Sequence, residues 1–162
     1  MMKLLHVVCA AVFVVLLSGC SGLQGIEQPT VEVVEARVVE QSAGGASLAV
    51  TLRVMNPNAE ELAMPRVTCD LDVDGAGRFT FTDVPYATAP GARDGGEQFV
   101  TLPAAVLGGD LAGRRYSVRG TVVFQPEGQL RRVFTDIGVP LPRAVFEGQG
   151  VVQGTGLEQP TP

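Results

Sequence analysis

Lysine is almost missing from this 162-residue chain, where Lys3 is the only one. Tryptophan is absent, histidine occurs once, at His6, and cysteine stands at positions 9, 20 and 69 alone. The longest apolar run, Leu4 to Leu17, falls short of the roughly 20 residues that a membrane span requires. Behind Lys3 and ahead of small residues, it fits a secretory signal instead. On that reading residues 1–19 are removed, and His6 and Cys9 go with them. Without histidine, a Ser-His-Asp or Cys-His arrangement and the usual zinc sites are excluded. With Cys20 at the cleavage point only Cys69 remains, and one thiol makes no intrachain disulfide framework. The fold must rest on its hydrophobic core.

Charge is also one-sided. Eleven arginines face seventeen acids after residue 19, a net charge of −6. No block of five or six basic residues occurs, which argues against nucleic acid as a partner. Arg114-Arg115 and Arg131-Arg132 are isolated pairs, expected to flank strands.

The ending Leu17-Ser18-Gly19-Cys20 resembles the lipobox of bacterial lipoproteins. The resemblance implies that Cys20 is acylated, with a diacylglyceryl group and a further N-acyl chain such as palmitate, and becomes the first mature residue. Several acyl chains at about 0.8 kcal/mol per buried methylene hold firmly. Ser21, in place of the aspartate that favours inner-membrane retention in such proteins, points to the outer membrane facing the periplasm. Residues 20–30, the lipidated cysteine and a small, polar, Pro/Gly-bearing stretch, read as a tether. Residues 143–162 share that composition and read as a flexible tail.

Between them the apolar period is two. Leu48, Val50, Leu52 and Val54 share one face, as do Val67, Cys69, Leu71 and Val73. Phe79 falls with Phe81, and Tyr116, Val118, Val122 and Phe124 fall together. With "VEVVEARVVE", "GEQFVTL" and "RRVFTDIGV" this makes seven candidate strands, with a bulge where the phase slips at Val33-Val34. Seven strands separated by Gly/Pro/Asn/Asp clusters predict an all-β fold, an antiparallel sandwich over residues 31–142. One short helix is expected where Pro103 opens "PAAVLGG" and Gly108-Gly109 closes it.

The stretch "VTLRVMNPNAEEL" ends an alternating run on Asn56-Pro57-Asn58. Pro57 lacks an N–H and cannot continue an interior ladder, and asparagines tolerate turn geometry, so the triplet reads as a strand stop. Its setting is more specific. Leu48, Val50, Leu52 and Val54 precede it; Leu62 and then Cys69-Asp70-Leu71-Asp72-Val73-Asp74-Gly75 follow. This order resembles the type 2 late embryogenesis abundant (LEA type 2) family, which includes the water stress and hypersensitive response (WHy) domain. The resemblance implies an immunoglobulin- or fibronectin III-like sandwich with a short helix. It also implies a non-enzymatic role in desiccation or stress tolerance through weak contacts with envelope proteins or lipid surfaces. It supplies no catalytic residue and no cofactor. An alternative role is a structural or assembly module binding one envelope partner.

Asp70, Asp72, Asp74 and Gly75 imitate the opening of an EF-hand loop, but Phe81 stands where the bidentate glutamate belongs. The alternation through Leu71 and Val73 demands an extended strand, so no metal site is expected and the aspartates form a wet, acidic face. Cys69, in phase with the apolar positions, is expected to be buried and inert.

Overall fold

A computed structural model describes residues 26–155 apart from 84, 86, 108, 137 and 139. The segment expected to be a signal, Cys20 and the residues after 155 lie outside it. Eight strands are described: β1 (Thr30–Ser42), β2 (Gly45–Met55), β3 (Leu62–Val73), β4 (Gly77–Asp83), β5 (Thr88–Ala89), β6 (Glu97–Leu107), β7 (Arg115–Pro126) and β8 (Arg143–Val151). One helix, α1 (Gly128–Asp136), joins β7 to β8. All strand pairs are antiparallel, in a three-stranded sheet β1-β2-β6 and a five-stranded sheet β4-β3-β7-β8 with β5 paired to β3. The expected all-β antiparallel sandwich is what forms.

The two sheets pack the alternating apolar positions against each other. Leu48, Val50, Leu52 and Val54 of β2 and Cys69, Leu71 and Val73 of β3 are fully buried, with Val122 and Phe124 of β7. The sandwich is laced along one side. Val38 N–H donates to Gln153 O at 2.9 Å, and Gln153 N–H donates to Ala36 O at 2.9 Å. The register of β1 slips between Val33 and Glu35, where the sequence phase slips.

Three expectations are corrected. The segment from Pro103 is not helical but continues β6, because Val100, Leu102, Ala104 and Val106 point inward without a break while 103 and 105 stay exposed. Pro103 is tolerated because β6 pairs only with β2 and lies at a sheet edge. The helix forms instead over most of the segment expected as the last strand. Pro126 and Gly128 interrupt the strand, and Leu130, Val133 and Phe134 follow the i, i+3, i+4 spacing of a helix face.

The third correction concerns the domain end expected at residue 142. The chain continues as β8, with Ala144 and Phe146 buried in the core. Its next inward positions, Gly148 and Gly150, have no side chain, which hides the period. They are small for a reason: a Cβ at Gly148 would lie 2.6 Å from Val33 Cβ. On the neighbouring strand, a Cβ at Gly120 would collide with the Thr68 carbonyl oxygen and the Phe146 ring.

Candidate functional site

Two places concentrate polar chemistry: the junction at the Asn-Pro-Asn triplet, and the outer face of the five-stranded sheet.

The triplet follows β2, and Asn56 is the buried polar residue of the core, only 2% exposed. Its Nδ2 donates to Glu60 O at 2.8 Å and to the carbonyls of Ala89 and Pro90, each at 3.1 Å. Two protons serve three acceptors, so one is shared. Its Oδ1 accepts from Asn58 N–H at 3.0 Å and Asn58 Nδ2 at 2.8 Å. The backbone joins in, with Asn56 N–H donating to Gly96 O at 2.7 Å and Ala92 N–H to Asn58 O at 2.7 Å. Asn58 then turns to the start of the chain. Its Oδ1 accepts from Glu27 N–H and its Nδ2 donates to Glu27 O, both at 2.8 Å. A side-chain amide thus pairs with a main-chain residue as a neighbouring strand would. Pro57 is exposed between them.

The triplet therefore ties three segments together: the β2–β3 connection, the β5–β6 loop, and residues that the sequence assigned to the tether. Gln28 is held too, its Nε2 donating to Arg143 O at 3.0 Å, and Pro29 is buried. The expected tether over 20–30 is correspondingly shortened, since the chain is fastened from Glu27 onward.

On the outer face of the five-stranded sheet, register sets the side chains in rows. Thr80, Asp70, Arg119 and Glu147 form one, and Arg78, Asp72, Ser117 and Gln149 the next. All of these except Thr80 line an open groove of about 480 Å³. The Thr80 hydroxyl donates to Asp70 Oδ1 at 2.6 Å, and Arg119 Nε stands 3.5 Å from Asp70 Oδ2. Arg78 Nη2 lies 3.3 Å from Asp72 Oδ2. The Thr80 hydrogen bond, helped by the charges of Arg119 and Arg78, holds the Asp70 carboxyl below its ordinary range.

The face expected to be acidic is thus matched with arginines from β4 and β7. Arg119 is distant from Asp70 in the chain, while Arg78 faces Asp72 across the β3–β4 hairpin, and strand register makes both pairings. Asp74 lies apart at the hairpin turn, where its carbonyl accepts from Arg114 Nη1 at 3.0 Å. Among the described residues, no group of three or more His, Cys, Asp or Glu is disposed to hold a metal.

Cys69 is fully buried, and burial pushes its thiol up to about 12. A thiol held protonated is a poor nucleophile. It behaves as a core residue.

No family model matches the chain, and no curated protein matches it. Solved structures do. The solution structure of a candidate late embryogenesis abundant (LEA) protein matches with a TM-score of 0.53 at 13% identity, over 92% of this chain and 84% of that one. The X-ray structure of structural-genomics target SoR45 matches with a TM-score of 0.53 at 11% identity, over 84% of this chain and 94% of that one. At such identities the likeness is one of fold: this chain adopts an LEA-like sandwich.

Proposed function

We propose that this chain is a non-enzymatic, lipid-anchored protein of the LEA type 2/WHy kind that protects neighbouring envelope proteins or lipid surfaces during water loss. The observation that carries the reading is the fold likeness to an LEA protein over nearly the whole chain. The outer face of the larger sheet agrees with it. Its acids are matched by arginines in an open groove, a surface suited to weak, hydrated contacts rather than to enclosing a substrate. Acylation of Cys20 would place the domain at a membrane. Seven residue steps lead from Cys20 to Glu27, where Asn58 fastens the chain, so the anchor reaches at most about 25 Å at ~3.5 Å per residue.

Drying a labile enzyme beside the Ser21–Pro162 chain tests protection. That chain contains every strand and the whole described core. The enzyme should keep more activity after rehydration than with an equal mass of an inert protein. Equal losses would refute the protective role. Membrane fractionation of Cys20→Ala against wild type after a high-salt wash tests the anchor separately, with the variant expected in the soluble fraction and wild type retained.

A further inference from the structure

We propose that the end of the sandwich from which the tether leaves is a second membrane-contact site, where Arg66, Arg132 and Arg143 bind the phosphates of anionic phospholipids. The inference deepens the anchored reading and rests on it for its geometry.

Most arginines elsewhere are already engaged. Arg37, Arg53, Arg78 and Arg119 each lie within 4.0 Å of a carboxylate, the widest separation being 3.9 Å for Arg37 and Glu35. Arg114 donates to the carbonyls of Asp110 and Asp74. At the tether end the pattern changes. Arg66 of β3 and Arg143 of β8 flank Val123 of β7 in register, so they share the outer face, and both are exposed. Arg132 is exposed on α1, which leaves the end of the same strand. Among the described residues none of these three has a carboxylate within salt-bridge distance.

The tether leaves at this patch. Gln28 holds the Arg143 carbonyl at 3.0 Å, and Asn58 fastens Glu27. A short anchor therefore brings these guanidinium groups to headgroup level, where a planar fork pairs with phosphate oxygens two at a time. The chain as a whole is acidic and is repelled by an anionic surface. Acids share this end: Glu27 beside Asn58, Glu60 and Glu61 on the β2–β3 connection, Asp83 closing β4, Asp94 and Glu97 about the β5–β6 loop, and one acid at each end of α1. They confine the contact to the outer face around Val123. The acid-bearing turn at Asp74 and the Asp110 loop lie at the opposite end of the strands and point away from the lipid. The protein is thus held in one orientation instead of swinging on its anchor.

Co-sedimentation of the unacylated Ser21–Pro162 chain with vesicles tests this. Binding is expected to phosphatidylglycerol/phosphatidylethanolamine vesicles, not to phosphatidylcholine, and to disappear at high salt. Each arginine near an anionic surface contributes on the order of fivefold, so the triple variant Arg66→Gln, Arg132→Gln, Arg143→Gln should bind roughly a hundredfold more weakly. Arg115→Gln, at the far end, should bind as wild type. All four side chains are exposed, and an unchanged thermal transition verifies the fold. Equal binding of the triple variant, or no preference for the anionic vesicles, overturns the proposal. The anchor fails separately: if the wild-type chain takes up no labelled palmitate in cells while the vesicle result holds, acylation is wrong and the patch stands.

Discussion

Replacing Asn56 by alanine should be among the costliest single changes outside the apolar core. The side chain is 2% exposed and contacts three carbonyls and two donor groups of Asn58. Truncation leaves the Ala89 carbonyl buried without this donor, while the Glu60 and Pro90 carbonyls are near enough to solvent to rehydrate in part. The Ala89 carbonyl left buried and unpaired costs about 1–3 kcal/mol, and the part-buried bonds, replaced in part by water, about 1 kcal/mol together, so the loss comes to roughly 3 kcal/mol. For a domain of this size that lowers Tm by about 10 °C. Urea unfolding of the Ser21–Pro162 chain measures it. Asn58→Ala, whose bonds to Glu27 are exposed, should cost only about 1 kcal/mol. Asn56→Asp keeps the shape but offers no N–H to the three carbonyls. It should be no better than alanine at pH 7 and recover partly in acid as the carboxyl protonates. An Asn56→Ala loss below about 1 kcal/mol, or an aspartate tolerated at neutral pH, would refute the account of the junction.

Gly148→Ala should cost about 2 kcal/mol by urea unfolding, and Val33→Gly in the same chain should restore part of it, because the clash is with the Val33 side chain from its Cβ outward. Gly120→Ala should cost at least as much, with no rescue from trimming Phe146, since the Thr68 carbonyl is backbone. Cys69 should resist thiol reagents in the folded protein and label only as fast as the domain opens, which timed alkylation at rising urea will follow. Asp70, whose carboxyl titrates below its ordinary 3.8, adds stability that is present above that pH and is lost as the pH falls through the lower folded value. Acid unfolding of Asp70→Asn should therefore show a shallower decline below about pH 4 than wild type.

The strands that could be read in advance are those whose inward positions all carry apolar side chains. Leu48 through Val54 and Val67 through Val73 alternate without a gap, and burial follows the alternation. β8 escaped because two of its inward positions are glycines, chosen by the bulk of Val33 and Tyr116 opposite them rather than by anything local. β6 was cut short by reading Pro103 as a helix start. The apolar alternation on either side was the better guide, since an edge strand can spare an N–H. The helix was missed for the converse reason: aromatic and β-branched residues suggested a strand, while the spacing of Leu130, Val133 and Phe134 was helical.

The polar sites were less legible still. Asp70 and Asp72 are visible as an acidic run, but their arginine partners come from β4 and β7, and only strand register brings them together. The triplet was visible as a stop. What Asn56 grips was not, because its acceptors are backbone carbonyls, two of them 33 and 34 residues downstream, and a carbonyl has no residue signature.

That arrangement bears on how force would reach the fold. Glu27 is joined to Asn58 by two hydrogen bonds at 2.8 Å, and Asn58 to Asn56 by two more at 3.0 and 2.8 Å. Asn56 in turn holds the β5–β6 loop through Ala89 and Pro90. A pull on the tether therefore meets the Glu27–Asn58 pair before it reaches the β1 ladder at Thr30. The pair is exposed and individually weak, about 1 kcal/mol, so it can open and close without disturbing the core. Opening it would free Glu27 and lengthen the tether while β1 stays in its sheet. Asn58→Ala should then expose the Glu27–Gln28 bond to a glutamate-specific protease and leave the rest of the domain resistant. Unchanged cleavage at Glu27 would mean that Gln28, Pro29 and the β1 ladder hold the start of the chain without help from the triplet.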